Sequence, residues 1–406
     1  MPIFPKHAWE GKSFDQTTLD PITGSGPYAI AEVKAGESVS FRKNKDYWGK
    51  NLALNRGVWN FDEVRLDYYR DANATVEAFK SGLADVRIEG DPTRWATGYD
   101  FPAVKDGKIT LEKIAQRAPA PASGFAFNTR RKLFADARVR EALAMAFDFE
   151  WANANLFSGA YQRTYGYYAG SELSSLGKPA DDREKAILGD AVKSLRPDFL
   201  DGSYRLPVSD GSGRDRKILR QAVGLLAEAG WTIKDAGLVN AADAPFAFTI
   251  AVQNKDQERI ALHFQRSLQQ IGIKADVRVV DSAQFASIQN NYDYDMIPAT
   301  WYNSLSPGNE QKFYFGSDGR SVEGTRNYPG IADPAVDRAI AALLTATTRE
   351  DFVAAVRAED RLLASGFYIV PLFDAGGQWV ARWNYIGRPN AQPLPGFEAT
   401  TLWRNP

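Results

Sequence analysis

Apolar and polar positions alternate with period two over residues 28–33 and 38–42, which predicts a pair of short strands closed by the turn Asn44-Lys45-Asp46-Tyr47-Trp48-Gly49. Residues 64–69 and 84–88 repeat that alternation. Between them, Asp71 stands where a helix cap belongs, ahead of Val76, Phe79 and Leu83 at helical spacing. The Pro/Ala-rich run 117–124 reads as an exposed crossover, followed by a strand at 125–128. A helix is predicted over 136–149, because Val139, Leu143 and Phe147 recur every fourth residue. Residues 159–213 carry Gly, Ser, Pro and Tyr without a period and read as a long irregular stretch, a kind of segment that often carries function. The pattern then alternates again. Helices are predicted over 218–229 (stopped by Gly230), 256–271, 283–289, 334–346 and 349–365, and strands over 246–252, 275–280, 295–300, 368–373 and 378–383. Strand–helix–strand succession of this kind defines an α/β chain.

Composition narrows what such a chain can do. Its 406 residues suggest two or three domains, and 44% hydrophobic with 24% charged residues excludes disordered, collagen-like and coiled-coil chains. Lys plus Arg number 49 against 50 Asp plus Glu, a net charge of −1, so nucleic acid is not an expected partner. Cysteine is absent and only His7 and His263 are present, which removes thiolate chemistry and leaves little for a zinc site or a Ser-His-Asp triad. His263 sits in a helical pattern with Ile260, Phe264, Leu268 and Ile271 and reads as an ordinary helix histidine. No apolar run is long enough to span a membrane, and the first residues lack the basic and apolar regions of an export signal.

Several places could carry chemistry. The carboxylate-rich spots Asp181-Asp182, Asp293 with Asp295, and Glu359-Asp360 could in principle serve a glycosidase-type pair, but they read as solvated turns and helix faces. Gly24-Ser25-Gly26 and Gly211-Ser212-Gly213 lack the lysine of a phosphate loop and read as turns. Thr300-Trp301-Tyr302-Asn303-Ser304-Leu305-Ser306-Pro307-Gly308-Asn309-Glu310 leaves a predicted strand with two rings and two amides. Open α/β folds bind ligands at that kind of strand end, where Trp301 and Tyr302 could stack and Asn303 and Asn309 could donate and accept. The same string equally suits a buried strand end followed by a polar turn, and Tyr161, Arg163, Tyr165, Tyr167 and Tyr168 share both readings.

The strings Gly24-Ser25-Gly26-Pro27-Tyr28 and Arg42-Lys43-Asn44-Lys45-Asp46-Tyr47-Trp48 resemble the signature of family 5 extracellular solute-binding proteins, the peptide- and nickel-type receptors of ABC importers. Asn128-Thr129, the run from Phe134 to Leu143, and Leu225-Leu226-Ala227-Glu228-Ala229-Gly230-Trp231 follow in the family's order. Three further runs resemble the YejA branch, linked to oligopeptide, murein-peptide and microcin C import. They are 94–102 (Arg-Trp-Ala-Thr-Gly-Tyr-Asp-Phe-Pro), Gly159-Ala160-Tyr161-Gln162-Arg163-Thr164, and Leu305-Ser306-Pro307-Gly308-Asn309-Glu310-Gln311.

The resemblance implies a periplasmic-binding-protein-like fold of type II, cluster C style, with lobes joined by hinge strands and closing around a ligand. It places lobe I at 1–127, lobe III at 128–367 and return strands to lobe I at 368–406. Met1-Pro2-Ile3-Phe4-Pro5-Lys6-His7 resembles a mid-chain stretch, so N-terminal lobe segments are expected to be missing. It further implies a periplasmic monomer that takes peptides or peptide conjugates in an interlobe cleft. Delivery would be to ABC permease subunits, without cofactor, metal or chemistry. The ligand-binding residues it implies are Trp301, Tyr302, Asn303, Ser304, Asn309, Glu310, Arg94, Trp95, Tyr161, Arg163, Tyr165 and Tyr168. Ser304 departs from the pattern, since many peptide receptors carry Asp three residues after the cleft Trp. The alternatives are a carboxylate-pair hydrolase and a truncated receptor used for sensing or sequestration.

Overall fold

The computed structural model describes residues 5–13, 19, 21, 24–235, 237–391 and 393–406, so Met1-Pro2-Ile3-Phe4 of the opening string lies outside the described residues. The chain forms two compact units, residues 1–115 with 378–406, and residues 116–377. The first unit opens with an antiparallel meander of β1 (Tyr28–Lys34), β2 (Ser38–Lys43) and β3 (Glu63–Asp67). Helix α1 (Ala72–Lys80) starts where Asp71 accepts the Ala74 N–H, a conventional N-cap. Strands β4 (Val86–Glu89) and β5 (Ile109–Ile114) follow.

The second unit is built on β6 (Ala122–Phe127), α2 (Ala137–Ala146), α3 (Arg216–Glu228), β7 (Ala247–Val252), α4 (Lys255–Gln269), β8 (Lys274–Val279), β9 (Met296–Trp301), α5 (Pro334–Thr345), α6 (Arg349–Ser365) and β10 (Ile369–Pro371). Its sheet has the order β8–β7–β9–β6–β10, with β7 parallel to β8 and β9, and β6 antiparallel to β9 and β10. Both faces are covered. Phe125, Phe127, Phe248, Ile250 and Met296 pack with residues of α2, α3 and α4, while Ala126, Ile297, Trp301 and Ile369 pack with residues of α5 and α6. Gly124 lets β10 approach, since a Cβ there would stand 2.6 Å from the Val370 carbonyl oxygen. After β10 the chain returns as β11 (Gln378–Trp383), which inserts between β4 and β5 and pairs antiparallel with both.

The division between units falls at 115/116 and 377/378 instead of 127/128 and 367/368. The reason is register. β6 and β10 pair with each other at Ala126–Ile369 and Gly124–Pro371, so both belong to the second unit's sheet. The Pro/Ala-rich run 117–124 therefore ends inside a strand. The predicted helix over 136–149 stops at Ala146, because Asp148 caps a new helix, Phe149–Leu156, by accepting the Trp151 N–H. The stretch 159–213 is less irregular than its composition suggests, holding the helices Asp182–Leu188, Ala191–Ser194 and Pro197–Leu200. Among the described residues no helix is long and apolar enough to cross a membrane.

Candidate functional site

The carboxyl end of β9 gathers most of the polar and aromatic residues that the sequence singles out. Trp301 ends the strand with no exposed surface, its ring centroid 5.6 Å from Phe315, 5.7 Å from Tyr328 and 6.0 Å from Tyr167. Its indole N–H donates to the Arg326 carbonyl at 3.1 Å. The expectation of a ligand-stacking Trp301 gives way here to a core role, because alternation along β9 turns residue 301 onto the α5/α6 face. Tyr302 points the other way and is 69% exposed. Asn303 turns back inward, its Nδ2 donating to the Tyr167 carbonyl at 2.9 Å and its Oδ1 accepting from Gln311 Nε2 at 3.2 Å. Ser304 is exposed and accepts the Ser306 N–H. Asn309 is exposed and does not cap the short helix Glu310–Phe315, while Glu310 accepts the Gly308 N–H at 2.7 Å.

Beneath this loop lies a buried polar layer. Tyr168 is fully buried and donates its hydroxyl to Glu359 at 3.1 Å. Asp360 accepts from the Tyr167 N–H at 2.6 Å and from both the N–H and the hydroxyl of Ser175 at 2.8 Å. Gly166, at φ +73°, makes room for this, since a Cβ would stand 2.7 Å from Asp360 Oδ1. Tyr165, Tyr167, Phe199, Tyr204, Asp360 and Tyr368 line part of a cavity of ≈ 60 Å³, large enough for a few waters.

The remaining implied residues have the following surroundings. Tyr161 stacks on Phe373 with centroids 4.6 Å apart. Arg163 is buried and donates to the Ala144 carbonyl at 3.1 Å. Tyr165 lies beneath Arg205, whose guanidinium is 5.6 Å from its ring. Arg94 and Trp95 belong to the first unit, where Arg94 pairs with Glu89 at 3.2 Å and Trp95 stacks on Trp379. His263 is a buried helix histidine whose Nε2 lies 2.8 Å from the Asp148 carbonyl. Among the described residues, no group of three His, Cys, Asp or Glu side chains is placed to hold a metal ion.

Glu359 and Asp360 correct the reading of a solvated helix face, since both have no exposed surface. The available signal was their setting, Ala354-Ala355-Val356-Arg357-Ala358 before them and Leu362-Leu363 after, a helix apolar on most sides and hence buried. Burial pushes the Glu359 carboxyl up to about 8; the Tyr168 hydroxyl opposes this, and the Asp360 and Glu310 charges add to it. A carboxyl raised in the folded state contributes stability that is fully present below its unfolded value of 4.5 and is lost as pH rises through about 8. Glu359→Gln keeps the shape and removes the titration. The wild-type urea midpoint should therefore fall relative to that of Glu359→Gln between mildly acidic and alkaline pH. Parallel midpoints across that range would show that Glu359 does not titrate there.

This mixed α/β fold matches peptide-binding proteins of the type II periplasmic binding family. The oligopeptide-binding protein AppA of Bacillus subtilis, solved in complex with a nonapeptide, superposes with a TM-score of 0.69 at 20% identity over 100% of this chain and 72% of that one. Residues 1–321 match the family model described as bacterial extracellular solute-binding proteins, family 5 middle, and the chain belongs to that family. It is 46% identical over 409 residues to the peptidoglycan-binding protein YepA of Agrobacterium fabrum, covering 99% of this chain and 66% of YepA. It is 37% identical over 411 residues to that organism's "probable peptide-binding protein YejA", covering 99% of this chain and 67% of YejA. The chain thus spans about two thirds of the length of the curated relatives it matches.

Proposed function

We propose that this chain is the ligand-capturing part of an ABC-type importer, acting as a monomer in the periplasm. It hands oligopeptides or peptide conjugates, of the murein-peptide or microcin C kind, to a membrane permease without altering them. YepA and YejA, named for binding peptidoglycan and peptides, support that ligand class.

The observation that carries the reading is the mounting of Tyr302. Its neighbours are fixed, Trp301 in the core and Asn303 to the Tyr167 carbonyl and Gln311, while its own ring stands 69% exposed. A ring held on a fixed base grips a ligand with little loss of conformational freedom. Ser304 brings no charge to this loop, and Glu310 is engaged with its own loop at the Gly308 N–H. Recognition then rests on ring contact and main-chain bonds more than on the ligand's ammonium group.

Calorimetry with a tri- to pentapeptide series should find that Tyr302→Ala weakens binding about tenfold or more, ~1.4 kcal/mol. N-acetylation of the same peptides should cost less than about 1 kcal/mol. The reverse ranking would assign recognition to a charge elsewhere. Failure of every peptide to bind, with a different solute class released from protein purified from its native host, would refute the ligand class itself.

A further inference from the structure

On the α3/α4 side of the second unit, away from β9, lies a groove of ≈ 990 Å³ lined by Arg214, Arg216, Arg220 and Arg266, with no carboxylate in its lining. All four guanidinium groups are on exposed residues, and among the described residues none makes an ion pair within 4.0 Å. Acids flanking the groove spend their oxygens elsewhere, and Glu258, which lines an adjoining cavity with Trp151, His263 and Arg266, pairs with Lys255 at 2.8 Å. Asp148 accepts from the Trp151 and Gly213 N–H groups, and Asp215 accepts from Lys217, Ile218 and Asp210. Arg216 and Arg220 are one turn apart on α3 and share its face, while Arg266 comes from α4. The loop bearing Arg214 is fixed from both sides, because Gly213 donates to Asp148 and its carbonyl accepts Gln270 Nε2 at 2.9 Å.

The floor mixes apolar and polar groups, with Ser267, Gln269 and Gln270 in its lining. Trp151 lies flat on the buried His263 with ring centroids 4.4 Å apart and planes 9° apart, and Leu219, Val223 and Ile271 continue the apolar surface. Such a groove asks for two things at once, carboxylates spaced along its rim and apolar side chains against its floor. A single phosphate would satisfy one arginine and leave the floor wet. Uncompensated cations on one face also repel one another until an anion is supplied, and their field favours encounter with an oppositely charged surface.

We infer that this groove is a docking surface for an acidic, amphipathic segment of a protein partner, distinct from the ligand-capturing loop at Tyr302 and independent of which solute is captured. The test uses fluorescence polarisation of a labelled, end-blocked helical peptide bearing Glu on one face and Leu on the other. The intact chain should bind it with an affinity that falls as salt is raised. The charge-reversed double variant R216E/R220E, altered only at exposed positions, should bind at least about tenfold more weakly, with an unchanged circular dichroism spectrum and melting temperature. The counterpart carrying Lys in place of Glu should not bind, and the counterpart carrying Ser in place of Leu should bind more weakly. Excess of an uncharged peptide that occupies the Tyr302 site should not compete. Unchanged binding by R216E/R220E, or displacement by the uncharged peptide, would overturn the inference. Equal binding of pyrophosphate or of phosphatidylglycerol vesicles would also overturn it, assigning the groove to small anions or to membrane.

Discussion

Trp301→Ala should destabilise the second unit by about 3–5 kcal/mol, the range for emptying a fully buried large side chain. Two losses add together. The indole leaves a void between Tyr167, Phe315 and Tyr328, three rings held by separate elements that cannot all collapse inward. The partly buried Arg326 carbonyl also loses its donor. Urea unfolding followed by circular dichroism measures the cost, and Trp301→Phe, which restores volume but not the N–H, should fall between alanine and wild type. If Trp301→Ala unfolds within about 1 kcal/mol of wild type yet no longer binds peptide, the ring serves ligand contact and not the core.

A comparable loss is expected from Arg361→Met. Arg361 is 1% exposed and Glu184 is fully buried. The guanidinium donates from Nε to Glu184 at 2.7 Å, from Nη1 to the carbonyls of Phe199 at 2.5 Å and Leu200 at 3.2 Å, and from Nη2 to the Lys178 carbonyl. One side chain thus ties α6 to the helices Asp182–Leu188 and Pro197–Leu200. Methionine fills the volume but strands a buried carboxylate and three carbonyls, which costs about 3–5 kcal/mol. Glu184→Leu in the same chain should recover part of that loss, since a buried ion pair replaced as a unit is often near neutral. A double variant less stable than Arg361→Met alone would show that the carbonyl contacts, and not the stranded charge, dominate.

The second unit was largely legible from its sequence because its helices announce themselves. Asp215 before α3, Asn254 before α4 and Thr348 before α6 all cap as their chemistry suggests, and apolar positions at helical spacing follow each. The direction in which Trp301 faces was not legible. β9 is covered on both sides, so its apolar residues run almost continuously and period two no longer separates inside from outside. The buried acids of α6 were missed because a carboxyl pair reads as solvated unless its neighbours on every side are weighed together. The bond from Asn303 to the Tyr167 carbonyl spans residues far apart in sequence, and no local spacing marks it. Strand β5 was also missed, since its partner β11 arrives from the far end of the chain.

The position of β11 also bears on how the molecule is made. β4 and β5 are joined in their sheet only through β11, so while the chain is being synthesised they must wait, unpaired, until all of 116–377 has emerged. The intervening unit has no such wait, because β6 and β10, near its two ends, lie side by side in its own sheet, with β10 at the edge. Folding should therefore finish in the middle of the chain before it finishes at the start. A cut or a premature stop just before Gln378 would leave the inserted unit whole and the first unit without its centre. Residues 116–377 have the anatomy of a transplantable domain, with both ends meeting at one edge.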